Sequence, residues 1–180
     1  MRFTLKLALC VVLWVTSLAA GTIQFAVTDL GAGTYRYTYI LSGFSFSVNQ
    51  ELDIQFDANL YSNLTNGVVG TGFNLVLLQP NNPPGLPGDY SAMALIDNPP
   101  LDGPFSVDFT YLGEGAPGPQ PYFINQYDDQ GHFLETLESG ASSPIPEPAT
   151  VALAGGGLLA LGAALRHRRK TRRESRPTTS

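Results

Sequence analysis

The sequence predicts an all-β domain, an antiparallel β-sandwich with jelly-roll or Greek-key connections, and three observations predict it. Apolar residues recur at every second position in run after run. The runs are short and are separated by Gly, Pro, Asn and Asp. Between the two termini no stretch sustains a helical period. About nine short strands at such close spacing, with turn chemistry between them, are most simply stacked as two sheets over one core.

Taken in order, Ile23, Phe25 and Val27 alternate with Thr22, Gln24, Ala26 and Thr28, and Tyr35, Tyr37, Tyr39 and Leu41 alternate with Arg36, Thr38 and Ile40. Each run reads as a half-buried strand. Leu30-Gly31-Ala32-Gly33 between them reads as a tight reversal, as do Leu41-Ser42-Gly43 and Asn66-Gly67. Phe44 to Val48 is a short strand candidate. Leu52, Ile54 and Phe56 alternate with Glu51, Asp53, Gln55 and Asp57, which puts three carboxylates on a face expected to be wet. Asp57 to Leu64 reads as a single turn of helix, too short to pack as one. Gly72 to Leu78, Tyr90 to Ile96, Phe105 to Leu112, Tyr122 to Tyr127 and His132 to Glu138 complete the strands. Asp128-Asp129-Gln130-Gly131 joins the last two as a hairpin, while Pro80 to Asp89 and Gly113 to Pro121 are longer Pro- and Gly-rich loops.

Both ends of the chain read as addresses. Residues 1–20 pair Arg2 and Lys6 with the apolar run Leu7 to Val15 and small residues at Ser17, Ala19 and Ala20, the pattern of a secretory signal helix cleaved at Ala19 or Ala20. Cys10 lies inside that apolar core, behind Leu9, where a lipoprotein cysteine would follow a small residue. The remainder has no cysteine, so disulfides play no part in holding it. At the other end Pro146, Glu147 and Pro148 precede an uncharged run from Pro148 to Leu165. Its 18 residues would cover ~27 Å as a helix, enough for one transmembrane span. Arg166, Arg168, Arg169 and Lys170 then begin a basic tail, 166–173, that holds the far end in the cytoplasm, and residues 174–180 read as a disordered end. A glycosylphosphatidylinositol signal would instead finish on its apolar segment.

Residues 143–173 closely resemble the PEP-CTERM sorting signal of Gram-negative bacteria, in which Pro-Glu-Pro precedes a membrane span and an Arg-rich end. Pro146, Glu147 and Pro148 match the motif, Ala149-Thr150 the residues after it, Val151 to Leu165 the span and Arg166 to Lys170 the basic end. Gly155 to Gly157 and the extension to Ser180 depart from the commonest form without disturbing the order of parts. The resemblance implies export past a signal peptidase and processing by an exosortase. It further implies passage from an inner-membrane-anchored precursor to the cell surface or extracellular matrix.

Residues 21–142 then form one domain of ordinary size. The net charge of −5 hides an asymmetry: between the two addresses thirteen carboxylates face one cation, Arg36, a net −12. Nucleic acid is thereby excluded as a partner.

For chemistry the residues offer little. His132 is the domain's one histidine, so a nucleophile and base set, or a zinc site, has almost nothing to draw on. Asp53, Asp57 and Asp108 are candidates for a glycosidase carboxylate pair, although acids at alternating strand positions ordinarily face solvent. No cofactor is expected. Calcium is the one cation such a surface could take, but Asp128-Asp129-Gln130-Gly131 lacks the pattern of a calcium loop. Aromatic residues are spread over the strands and are expected mainly in the core, where a domain without disulfides needs them. Asn63-Leu64-Thr65 matches a glycosylation acceptor that is incidental in a bacterial chain. The expected function is non-catalytic: a cell-surface or exopolysaccharide-matrix protein contributing to adhesion or biofilm structure. The alternatives are a carbohydrate-binding module or a carboxylate-dependent glycoside hydrolase, with extracellular polysaccharide as the partner.

Overall fold

Period-2 patterning becomes two stacked sheets. The computed structural model describes residues 21–146, and every regular element among them is a strand. The predicted signal helix with its Ala19–Ala20 junction, the transmembrane helix and the basic tail lie outside the described residues. The strands are β1 (Thr22–Gly31), β2 (Thr34–Ser42), β3 (Gln50–Phe56), β4 (Tyr61–Val68), β5 (Phe73–Leu78), β6 (Gly88–Ala94), β7 (Phe105–Tyr111), β8 (Pro121–Tyr127), β9 (Phe133–Ala141) and β10 (Ser143–Pro144). One sheet runs β10-β1-β2-β7-β4 and the other β5-β6-β3-β8-β9. All pairings are antiparallel except β1 with β10. The connections β2–β3, β3–β4, β4–β5, β6–β7, β7–β8 and β9–β10 each pass from one sheet to the other.

The alternating residues meet between the sheets. Ile23, Phe25, Tyr37, Tyr39, Val107 and Phe109 from the first sheet face Leu52, Ile54, Phe56, Tyr90, Ala92 and Ile124 from the second in one continuous core. Aromatic rings make up much of it: Tyr37 stacks on Phe109 at 4.5 Å between centroids and meets Phe25 edge-on at 5.1 Å, offset geometries that suit ring quadrupoles. The expectation that aromatics serve the core holds for Tyr37, Tyr39, Phe46, Tyr61, Tyr90, Phe109 and Tyr122, all buried.

Four local expectations are corrected. Phe44 to Val48 is irregular rather than a strand, because it carries the chain across from β2 to β3; Phe46 is nevertheless buried against Phe73. The helical turn expected over Asp57–Leu64 is only a tight turn, with Leu60 and Tyr61 N–H donating to the Asp57 carbonyl, and β4 begins at Tyr61. Asn66-Gly67 does not reverse the chain. It lies within β4, where register shifts against β7 flank Thr65 and where Asn63 and Asn66 take positive φ of 55° and 49°. Asparagine tolerates that conformation, so here it makes a bulge in an edge strand. Finally, Val27 belongs to the alternating set but is 36% exposed, because β10 pairs only with Gln24 and Phe25 and leaves Val27 lining an open groove.

The turns otherwise follow their residues. Ala32 (φ 52°) and Gly33 (φ 75°) close the β1–β2 hairpin, and Gly131 (φ 81°) closes β8–β9. Arg36 and Asp108 face each other directly across β2 and β7 on the outer side of the first sheet.

Candidate functional site

Three features stand out, and β3 organises the first. With Leu52 and Ile54 turned inward, Glu51 and Asp53 point to the outer face of the second sheet. That face is drier there than the sequence implies. Glu51 is 8% exposed: its carboxylate accepts hydrogen bonds from Ser91 Oγ, from Tyr127 OH at 2.8 Å and from Asn125 Nδ2 at 3.3 Å. Asp53 lies diagonally from Asp89, since Asp53 pairs with Ser91 and Gln55 with Asp89. Val76, Leu78 and Met93 wall the same groove, of about 310 Å³.

The electrostatics follow from that crowding. Burial, then the charge of Asp89, raises the Asp53 carboxyl to about 7, with a partly offsetting hydrogen bond from Gln55. Asp89 is raised too, by burial and by Glu51. Asp53 Oδ1 and Asp89 Oδ1 are both buried without a partner, a costly state for carboxylate oxygens when ionised. Among the described residues no group of three or more His, Cys, Asp or Glu side chains gathers closely enough to hold a metal ion.

The second feature is a cleft of about 520 Å³ at one end of the sandwich. Gln55, Asp57, Tyr61 and Tyr111 line one side of it, and Pro87, Pro119 and Pro121 from the two long loops line the other. Beneath it Gln120, fully buried, ties the β7–β8 loop to β2, β4 and the start of the C-terminal segment. Its amide nitrogen donates to Tyr37 OH, to the Gly118 carbonyl and to Tyr61 OH at 3.1 Å. Its amide oxygen accepts from Ser142 Oγ at 3.2 Å and from Tyr39 OH at 3.4 Å. Burial raises the Tyr37 and Tyr39 hydroxyls far above their ordinary ionisation range, so they act as neutral partners.

The third feature is the root of the C-terminal segment. Ser143 and Pro144 pair with Gln24 and Phe25 as β10, and Ile145 N–H donates to the Phe25 carbonyl at 2.9 Å. Just before them Ser142 exchanges hydrogen bonds with Gln120: Ser142 N–H to the Gln120 carbonyl at 2.8 Å, and Gln120 N–H to the side-chain Ser142 Oγ at 2.9 Å. Phe25–Val27, Ala116–Pro119 and Pro144–Pro146 enclose a groove of about 540 Å³ in which no lining residue is charged.

The acids singled out from the sequence do not come together. Asp108 lies on the outer face of the first sheet, where Arg36 Nε and Nη2 grip it at 2.6 and 2.9 Å and Asn66 Nδ2 donates at 2.9 Å. The Arg36 hydrogen bonds first, then that of Asn66 and the Arg36 charge, outweigh burial and hold its carboxyl below the usual range. Asp53 is on the opposite outer face and Asp57 is at the end cleft, its Oδ1 accepting from Asn59. His132 sits on the β8–β9 hairpin, exposed, with Nδ1 3.0 Å from Asp128 Oδ2; Asp128 Oδ1 also accepts from the N–H groups of Gln130 and His132. Of the predicted sorting residues, Pro146 is the last described residue, exposed at the groove rim. Glu147, Pro148, Arg166, Arg168, Arg169 and Lys170 lie outside the described residues. Ser91, Asn125 and Gln120 carry no signal of their own in the sequence, and the places of Asp89 and Tyr127 beside Asp53 and Glu51 do not show there either, because these neighbours come from strands distant along the chain.

No curated protein matches the chain. Among solved structures it is similar to a cohesin module from the Clostridium perfringens ATCC13124 family 33 glycoside hydrolase, at 13% identity and a TM-score of 0.37, covering 71% of this chain and 98% of that one. The family model of the PEP-CTERM protein-sorting motif matches residues 144–170, a segment whose first residue, Pro144, lies in β10, and the chain is a PEP-CTERM domain-containing protein.

Proposed function

We propose that this is a non-catalytic surface or matrix protein whose acidic β-sandwich is delivered by its C-terminal signal and contributes to adhesion or biofilm structure. The motif indicates an exported precursor processed by an exosortase. The observation that carries the reading is the direct continuity of sandwich and signal: β10 contains the motif's first residue, so the whole described domain is cargo. The dispersal of Asp53, Asp57 and Asp108 favours a non-catalytic role. Glycoside hydrolysis needs two carboxyls ~5–9.5 Å apart across the scissile bond, whereas Asp53 and Asp108 are on opposite outer faces of sheets stacked ~10 Å apart.

The end cleft favours carbohydrate as the ligand of such a protein. Its volume suits one or two sugar rings, Tyr111 offers a half-exposed ring for stacking, and Asp57 and Gln55 offer acceptors and donors for hydroxyls. A glycan array on the exported chain, with and without calcium, tests this. We expect binding to neutral or basic glycans that falls at least about tenfold in Tyr111→Ala, equivalent to roughly 1.4 kcal/mol. Absence of binding to any glycan would remove the carbohydrate reading and leave a protein partner for adhesion.

A further inference from the structure

The uncharged groove beside β10 touches the sorting signal itself, and from this we propose that it is a docking surface for the processing enzyme. The proposed recognition extends beyond Pro146–Pro148 to the flank of the folded domain. It rests on the exosortase reading above. Ile145 N–H is still hydrogen-bonded to Phe25, and the motif's prolines follow at once. Pro146, the first residue of the Pro146–Glu147–Pro148 motif, itself lines the groove. A protein gripping Pro146–Glu147–Pro148 must therefore meet the surface formed by Val27, Pro119 and Ile145.

That surface is built to receive a contact. The domain carries a net −12 over residues 21–143, yet all ten residues lining this groove are uncharged. Val27 and Ile145 are each 36% exposed there, apolar side chains at the mouth of the exit path. The groove is also preformed. Tyr37 OH bonds the Gly118 carbonyl at 2.7 Å, and the Gln120–Ser142 exchange fixes the loop against the start of β10. A rigid apolar groove continuous with an extended peptide costs its partner little ordering entropy.

Processing of the full chain in a host with the enzyme tests the proposal by the sign of one change. A Gly/Ser insert of about six residues between Ile145 and Pro146 moves the motif up to ~20 Å from the groove. The proposal predicts processing slowed about 5–10-fold, the same slowing for Val27→Asp without the insert, and no further loss when the two are combined. Faster processing with the insert would mean that the domain only obstructs the enzyme. An unchanged rate would mean that it is ignored. An effect of Val27→Asp that persists in the insert chain would place the groove's partner elsewhere, such as the lipid surface; each of these outcomes overturns the proposal. Pro119→Asp, in an exposed loop position, repeats the test should Val27→Asp impair folding. A parent chain that is never processed, like one with Pro146, Glu147 and Pro148 changed to Ala, would instead remove the exosortase reading, and this inference with it.

Discussion

Gln120→Ala is expected to destabilise the domain by about 3–5 kcal/mol, lowering the midpoint of thermal unfolding by roughly 10–20 °C. The side chain is fully buried and bonds Tyr37 and Tyr39 of β2, Tyr61 of β4 and Ser142 in the β9–β10 link. Truncation leaves the Tyr37 and Tyr61 hydroxyls without its donor and the Tyr39 and Ser142 hydroxyls without its acceptor. Each buried polar group left unpaired costs ~1–3 kcal/mol, and the lost volume adds a cavity. Because domains are stable by only ~5–15 kcal/mol, this is a large share of the total. Urea unfolding of the two proteins measures it, and a loss below about 1 kcal/mol would show that the tyrosine cluster satisfies itself without Gln120. Ser142→Ala should cost less, since it removes one hydroxyl at the cluster's margin.

Stability should fall as pH rises from about 4 to 8, by on the order of 2–4 kcal/mol from the Asp53 carboxyl. Its folded value of about 7 exceeds the ordinary 3.8 because burial and the Asp89 charge disfavour ionisation. The folded domain thus keeps a proton that the unfolded chain releases near pH 4. The resulting stabilisation is complete below that pH and is lost as pH rises through about 7. Asp89, raised for similar reasons, acts in the same direction. Asp108 acts oppositely: Arg36 lowers its value, so its contribution is present above the ordinary carboxylate range and disappears as acid protonates it. Together they place maximal stability near pH 4. Asp53→Asn keeps the shape and removes the charge, so it should stabilise the domain at pH 8 and change little at pH 4. Chemical denaturation at the two pH values decides this. Equal effects of the substitution at both would contradict the buried-carboxylate account.

Much of the architecture was legible because β structure writes itself in period 2 wherever one face is dry. The inward sets on β2 and β3, Tyr37-Tyr39-Leu41 and Leu52-Ile54-Phe56, are the core as the alternation implies. What the alternation could not convey was pairing. The outer position of Asp53 was readable, but its dryness comes from β6 and β8, which bring Asp89, Ser91 and Tyr127 alongside through pairings 30 to 80 residues away in the chain. Asn66-Gly67 has the composition of a reversal, and only its place beside β7 makes it a bulge. Gln120 stands in a Pro-rich loop with no periodicity to mark it as a core residue. The sorting signal was readable without pairing because its order of proline motif, apolar run and basic end is linear. Its attachment was not: Ser143 to Ile145 look like the start of a flexible hinge, yet they are tied to β1.

The central claim is that the sandwich is cargo for the signal that begins in β10. Intact-mass spectrometry of the protein recovered from a Gram-negative host with an exosortase, and from the same host lacking it, tests this most directly. The account predicts a chain that starts after Ala19 or Ala20 in both hosts and that ends in the Pro146 region only where the enzyme is present. A chain intact through Ser180 in both would contradict it, and the C-terminal segment would then be a permanent anchor.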